Sequence, residues 1–162
     1  MIVQCGLQAV LAALEEVPEL SRLPDYPEVR SRVGKDFLAL LWLEGDIPVG
    51  AKLGYRLSED VFYSWLGGVQ SAFRGRGIAQ ELLRAQEDWC RKQGYSYLRV
   101  KSMNRFPGML SLLIRNRYQV THVEGGNVEG DSTALGQLKI GFQKQLGLPA
   151  DREEASDSYS AG

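Results

Sequence analysis

The sequence predicts a single α/β domain with a mixed, centrally splayed sheet and helices on both of its faces. Three observations carry that expectation. Residues 37–69 break into three apolar runs separated by two short turn signals, the pattern of an antiparallel meander. Residues 78–93 form one long amphipathic segment that opens on the glycine-rich turn Arg74-Gly75-Arg76-Gly77. A further strand-like run, Ser96–Ser102, follows it, so the segment is expected to be a crossover helix joining two parallel strands.

Each element has its own signal. Leu7, Val10, Leu11, Leu14 and Val17 follow helical spacing over residues 7–17, and Pro18 ends the run. Residues 18–34 hold Pro18, Pro24, Pro27 and Gly34 and read as a loop or a broken helix. Phe37–Glu44 is short and rich in large apolar residues, Gly45-Asp46 is a turn, and Ile47–Leu57 is a second strand. A turn at residues 58–60 leads to the third strand, Val61–Val69, where Gly67-Gly68 predicts a bulge or a splay. In the long helix, Ile78, Leu82, Ala85 and Trp89 form one apolar row, with Ala79, Leu83 and Cys90 beside it. Glu81, Arg84, Glu87, Asp88, Arg91 and Lys92 are assigned to the opposite, polar side, and Gly94 terminates the helix. Phe106–Asn116 reads as a second packed helix with Pro107 in its first turn. Tyr118–Glu124 is a strand, residues 125–131 a hairpin loop, and Ala134–Gln143 the last strand. Residues 149–162 carry almost no large apolar groups and read as a disordered tail, leaving residues 1–148 as the domain.

Composition narrows the function classes. The hydrophobic fraction is 44%, the charged fraction 24% and the net charge −1, which gives no bulk attraction to nucleic acid or acidic lipid. Neither partner is therefore expected, and a monomer or homodimer is. Cys5 and Cys90 are the only cysteines, too few for a disulfide framework or a metal site, and read as free thiols. The N-terminal residues lack a signal-peptide pattern, and no apolar stretch approaches the roughly 20 residues of a membrane span. The expected location is cytoplasmic.

The chemistry is expected at residues 69–79, where a strand passes through glycines into a helix. Exposed N–H groups at a helix start attract anions, and glycines let a phosphate approach them. A P-loop is excluded, because no Gly-x-x-x-x-Gly-Lys-Ser/Thr run exists. A Rossmann fingerprint is excluded too: there is no third glycine, an antiparallel meander precedes the turn, and the next strand ends in Lys101-Ser102. A strand-to-helix turn with no ligand is the plain structural alternative.

In this context the run Arg74 to Ala79 resembles the acetyl-CoA signature of the GCN5-related N-acetyltransferase (GNAT) family, Gln/Arg-x-x-Gly-x-Gly/Ala, through Arg74, Gly77 and Ala79. The resemblance spans roughly residues 36–124. It implies acetyl transfer from acetyl-CoA to a small-molecule or peptide amine. It further implies that N–H groups of Arg74, Gly75, Arg76, Gly77, Ile78 and Ala79 bind the diphosphate of coenzyme A, with Arg74 and Arg76 adding charge. The pantetheine arm would lie along Gly67, Gly68 and Val69, whose N–H groups could polarise the thioester carbonyl. Asn104 would contact the cofactor, cap the next helix, or do both. Lys101 and Arg105 are either near the 3′-phosphate or surface charges.

The sequence also departs from the family. The tyrosine commonly found in the second helix, which protonates the leaving thiolate, is replaced by Leu113. Val61–Val69 carries no acid to serve as general base. The remaining candidates are Glu44, Glu59, Asp60 and Glu124 at strand ends, Tyr63 with Ser64 and Trp65 as pocket lining, and the single histidine, His122. These departures keep a second reading open: a non-catalytic acyl-CoA-binding or regulatory module. The specificity regions 18–36 and 125–133 name no acceptor.

Overall fold

The computed structural model describes residues 1–20, 22–125 and 132–147. One seven-stranded sheet runs through it in the order β1 (Ile2–Gln4), β2 (Phe37–Glu44), β3 (Ile47–Arg56), β4 (Val61–Val69), β5 (Tyr97–Met103), β7 (Lys139–Gln145) and β6 (Gln119–Glu124). All neighbours are antiparallel except β4 and β5. That parallel pair is joined through α3 (Ile78–Gln93), as a crossover requires. The other helices are α1 (Leu7–Glu15), α2 (Tyr26–Val33), α4 (Pro107–Arg115) and α5 (Ser132–Gln137).

The central strands are buried on both sides, which is why they read as continuous apolar runs rather than alternating ones. Leu38 and Leu40 of β2 join Phe62, Leu82, Leu83 and Leu113 in the core under α3 and α4. Ala39 and Leu41 point the other way and join Val10, Leu14, Val29 and Leu53 in the core under α1 and α2. Helices α1 and α2 pack mainly on β2, β3 and β4. The β5–β7–β6 half of that face is left for a cleft.

Several expectations are corrected. The segment Ile2–Gln4, too short to show a pattern, adds an edge strand to β2. Residues 26–33, read as loop or broken helix, form α2: Asp25 accepts a hydrogen bond from the Glu28 N–H at 3.0 Å, and Pro27 sits in the first turn. The segment from Ala134 is not strand at first, because Leu135 and Leu138 are three apart and belong to α5 and its end. Only from Leu138 do Ile140 and Phe142 alternate, and β7 begins at Lys139. Glu87 and Arg91 lie not on a solvated side but buried, 3% and 7% exposed, because Tyr118 and Lys144 close over that flank of α3. There Glu87 accepts hydrogen bonds from Tyr118 Oη (2.7 Å) and Lys144 Nζ (2.9 Å). At the end of α4, Asn116 keeps φ −90° and Arg117 takes the left-handed position with φ 68°. Asn116 instead uses its amide, donating to Leu112 O at 2.7 Å and exchanging two bonds with Gln80 of α3. The hairpin loop from residue 126 and the tail from residue 149 lie outside the described residues.

Candidate active site

The sheet opens at its centre. Strand β4 pairs with β5 only from Val61↔Tyr97 to Ser64↔Val100, yet continues to Val69 against β3. The parting begins at Trp65, an extra residue in β4 that shifts its register against β3 between Leu53 and Gly54. The bulge therefore falls two residues before Gly67-Gly68, the site expected from sequence, while the splay itself is present. Gly68 is required by a close approach to α1's exit: a Cβ there would meet Val17 Cγ1 at 2.6 Å.

The chain then makes a short 3₁₀ turn, Ser71–Phe73, and reaches Gly75 and Gly77, with φ of 79° and 78°. Both conformations disfavour side-chain-bearing residues, by about 1 to 2 kcal/mol. A Cβ at either would meet no atom within 4 Å, so the turn faces open space. No side chain caps α3, whose N-cap is Gly77. Among the described residues no acceptor takes the N–H groups of Gly75 through Gln80; the helix hydrogen bonds begin with Glu81 N–H to Gly77 O. The two arginines of the turn are partly engaged. Arg74 donates through Nε to Val69 O (3.1 Å) and pairs with Glu19, while the Arg76 guanidinium lies 5.1 Å from the Phe73 ring centre. The Arg74 guanidinium holds the Glu19 carboxyl below its usual range.

Two clefts flank the opening. On the α3/α4 side, Gly67, Gly68, Val69, Ala79, Met109 and Lys52 line a narrow slot. Lys52 lies in β3 opposite Gly67, only 9% exposed, and burial pushes its ammonium down to about 8 against the partial support of Glu87. On the other side a cleft of about 520 Å³ is lined by Arg32, Tyr55, Tyr63, Arg99, Lys101, His122 and Glu124. Its lining includes the aromatic pair Tyr55 and Tyr63, edge-on at 5.5 Å between ring centres, and Trp65, outside the lining, meets Tyr55 edge-on at 5.7 Å. Glu124 Oε1 is 2.7 Å from both Lys101 Nζ and His122 Nε2, and these two bonds hold its carboxyl down at about 2. The remaining nitrogen of His122 faces Thr121 Oγ1 at 2.9 Å. Burial raises the Tyr63 phenol and keeps it protonated.

The sequence candidates fall into distinct places. Tyr63 and His122 come together in the larger cleft with Glu124. Glu44 does not join them: it ends β2 at the turn to β3 and accepts a bond from Trp42 Nε1 at 3.1 Å. Asn104 does not cap α4, whose N-cap is Phe106 with no side-chain bond. Its amide donates instead to Leu135 O at 3.0 Å, tying the end of β5 to α5. Sequence reasoning missed Lys52 and Arg32. A lysine between Ala51 and Leu53 in a central strand was a readable signal for the first. The second sits in the segment taken for a loop.

The model of the acetyltransferase (GNAT) family matches residues 9–106, more than half of the chain. The chain belongs to that family. Solved GNAT-fold structures agree in architecture. An IAA acetyltransferase from Bacillus cereus ATCC 14579 is 15% identical, with a TM-score of 0.73 over 90% of this chain and 99% of the other. The ribosomal-protein-S18-alanine N-acetyltransferase from Escherichia coli is 13% identical, with a TM-score of 0.73 over 91% and 94%. A GNAT family acetyltransferase from Elizabethkingia anophelis, solved with acetyl-CoA bound, is 14% identical, with a TM-score of 0.71 over 90% and 97%. No curated protein matches the sequence. Among the described residues, no helix is long and apolar enough to cross a membrane, and no group of three or more His, Cys, Asp or Glu is placed to hold a metal ion.

Proposed function

We propose that this GNAT chain transfers an acetyl group from acetyl-CoA to an amine by direct attack. The observation that carries the reading is the parting of β4 from β5 after Ser64 and Val100, followed directly by a glycine turn that opens onto α3. The turn fits a diphosphate, because Gly75 and Gly77 leave open space beside N–H groups that nothing else takes. Residues Arg74 to Ala79 would hold that group, and the pantetheine arm would run along Gly67, Gly68 and Val69 at the mouth of the narrow slot. Asn104, tied to Leu135, would border it at most from the end of β5. When bound, acetyl-CoA supplies an activated thioester carbonyl and a thiolate leaving group.

The chain's own residues supply the rest. An N–H of the splayed β4 segment polarises the carbonyl oxygen. Lys52 lines the same slot, and an ammonium with a pKa of about 8 is charged at neutral pH. It offsets charge developing on sulfur and holds a proton to deliver there, a role for which Leu113 has no group. Tyr63, His122 and Glu124 wall the cleft through which the amine approaches. Glu124, ionised down to about pH 2, orients Lys101 and His122 rather than taking the amine's proton. The acceptor reacts as the free amine; the proton its nitrogen loses on acylation passes to solvent, and Lys52 recovers its own from there.

The test is a thiol-release assay with acetyl-CoA and a panel of small-molecule and peptide amines, with acetylated products identified by mass spectrometry. Thiol release with a matching acetylated amine supports the proposal. Tight acetyl-CoA binding with no release on any acceptor replaces it with the non-catalytic acyl-CoA-binding module.

A further inference from the structure

We infer that the cleft over β5, β7 and β6 takes a small amine that also carries an anionic group, held end-on by Arg32 and Arg99. The inference rests on the acetyl-transfer reading for the amine, and on the geometry of the cleft for the anion. The volume of about 520 Å³ suits a small molecule rather than a folded partner.

The charges of the lining are unequal. Arg32, Arg99 and Lys101 enter it from three separate positions, and among the described residues Glu124 is the one acid in its lining. Glu124 is already satisfied by Lys101 and His122 at 2.7 Å each. Two guanidinium groups are left without a carboxylate among the described residues.

Both guanidinium groups are set in orientation by their inner nitrogen. Arg32 Nε donates to Tyr55 Oη at 2.9 Å, and its plane is carried by the Trp65 ring, 4.1 Å from the ring centre. Arg99 Nε donates to Gln143 Oε1 at 2.8 Å. In each case the bonds named occupy Nε and leave the terminal pair of nitrogens, the edge that grips a carboxylate or phosphate with two parallel bonds. Trp65, the bulged residue at the parting of β4 and β5, thus places Arg32 at the mouth of the reaction site.

The same charges suit the chemistry. An amine drawn into a cleft with surplus positive charge loses its proton more readily, because like charges disfavour the ammonium form. The anionic end of the acceptor compensates for the cost of entering. Polyamines and other polycationic acceptors are repelled from both steps.

The experiment compares matched acceptors in the thiol-release assay, with direct binding measured by calorimetry. L-Glutamate and phosphoethanolamine are set against glutamine amide, ethanolamine and spermidine. The expected kcat/KM is at least tenfold higher for the anionic members. The carboxylate and phosphate arms identify the preferred anion. Arg32→Gln and Arg99→Gln each lower it roughly tenfold to a hundredfold for anionic acceptors only, the loss expected for one charged hydrogen-bonded contact. Acetyl-CoA affinity stays unchanged in both variants, and a thermal scan checks that each remains folded, since each loses its bond to Tyr55 or to Gln143. Equal turnover of neutral or cationic amines, or no effect of either substitution, overturns the inference. Binding of an anionic amine, lost in Arg32→Gln but without turnover, sustains the anion site and sinks the acetyl-transfer reading instead. Neither binding nor turnover of any anionic amine overturns the inference.

Discussion

A side chain built at Gly67 would begin 3.6 Å from the Nζ of Lys52, which places a buried ammonium directly beside the splayed end of β4. That contact links a cost in stability to a role in chemistry. The lysine's folded pKa of about 8 lies below its ordinary 10.5. The folded state therefore holds its proton less tightly than the unfolded chain. The resulting penalty is fully present below pH 8 and is relieved as pH rises from 8 through 10.5. Lys52→Met should raise stability at pH 7 by up to about 3 kcal/mol, with the gain vanishing above pH 10.5. Glu87 keeps Lys144 and Tyr118 as partners in that variant. Denaturant unfolding of both proteins across pH 7 to 11 checks the sign, and the same variant should release thiol at least tenfold more slowly. A variant that is both more stable and equally fast contradicts the role given to Lys52.

Gly54 faces a crowded position. A Cβ there would lie 2.6 Å from Phe62 Cε2, 2.7 Å from Tyr63 O and 2.8 Å from Gln86 Nε2. The backbone oxygen cannot yield cheaply, so Gly54→Ala should cost about 2 to 3 kcal/mol. Urea unfolding measures it. Gly108→Ala, in open space within α4, is the comparison and should cost nothing or stabilise.

Helices α3 and α4 are clamped through the two reciprocal amide bonds of Gln80 and Asn116. Asn116→Ala removes both, together with the side-chain bond to Leu112 O, which keeps the backbone N–H of residue 116. The expected loss is about 1 to 2 kcal/mol. Because α4 walls the slot through Met109 and Leu112, acetyl-CoA affinity should also fall severalfold, read by calorimetry. Loss of stability with unchanged affinity would detach the clamp from the site.

The pH profile follows from Glu124. Its carboxyl is held at about 2, so it is ionised throughout the working range and adds no limb to the rate near pH 4 to 5. The free amine is the reacting form and Lys52 must hold its proton, so kcat/KM should rise with pH at a slope near one up to about pH 8, level off there as Lys52 deprotonates, and fall beyond the amine's own pKa, and this upper midpoint should move with the amine when two acceptors are compared. A midpoint fixed across acceptors would identify a base on the protein.

Most of the frame was legible because its signals are local. The strands 37–44 and 61–69 and the helix 78–93 start and stop as their apolar runs and Gly94 dictate. The glycine turn was legible for the same reason. What escaped depends on distant partners. Glu87 and Arg91 belong by helical spacing to a polar face, yet both are buried, and Glu87 meets Tyr118 and Lys144 from far along the chain. Arg32 acquires its place from Trp65 and Tyr55, across the sheet from a segment whose prolines suggested loop. The bulge at Trp65 carries no glycine of its own, and the nearby Gly67-Gly68 drew the expectation two residues too far. His122 could be seen as the sole histidine, but not that its ring would cover Gly141 and bond to Glu124.

The claim on which the account turns is that residues 74–79 hold the diphosphate of acetyl-CoA. Two variants separate ligand contact from backbone strain, because Gly77 and Gly94 both have positive φ, 78° and 90°, and both face open space at opposite ends of α3. Gly77→Val and Gly94→Val should lose similar stability, about 1 to 2 kcal/mol each. Acetyl-CoA is then titrated into each folded protein by calorimetry. The account predicts that Gly94→Val binds as the unmodified chain does and Gly77→Val binds at least tenfold more weakly. Equal affinity in all three would contradict it.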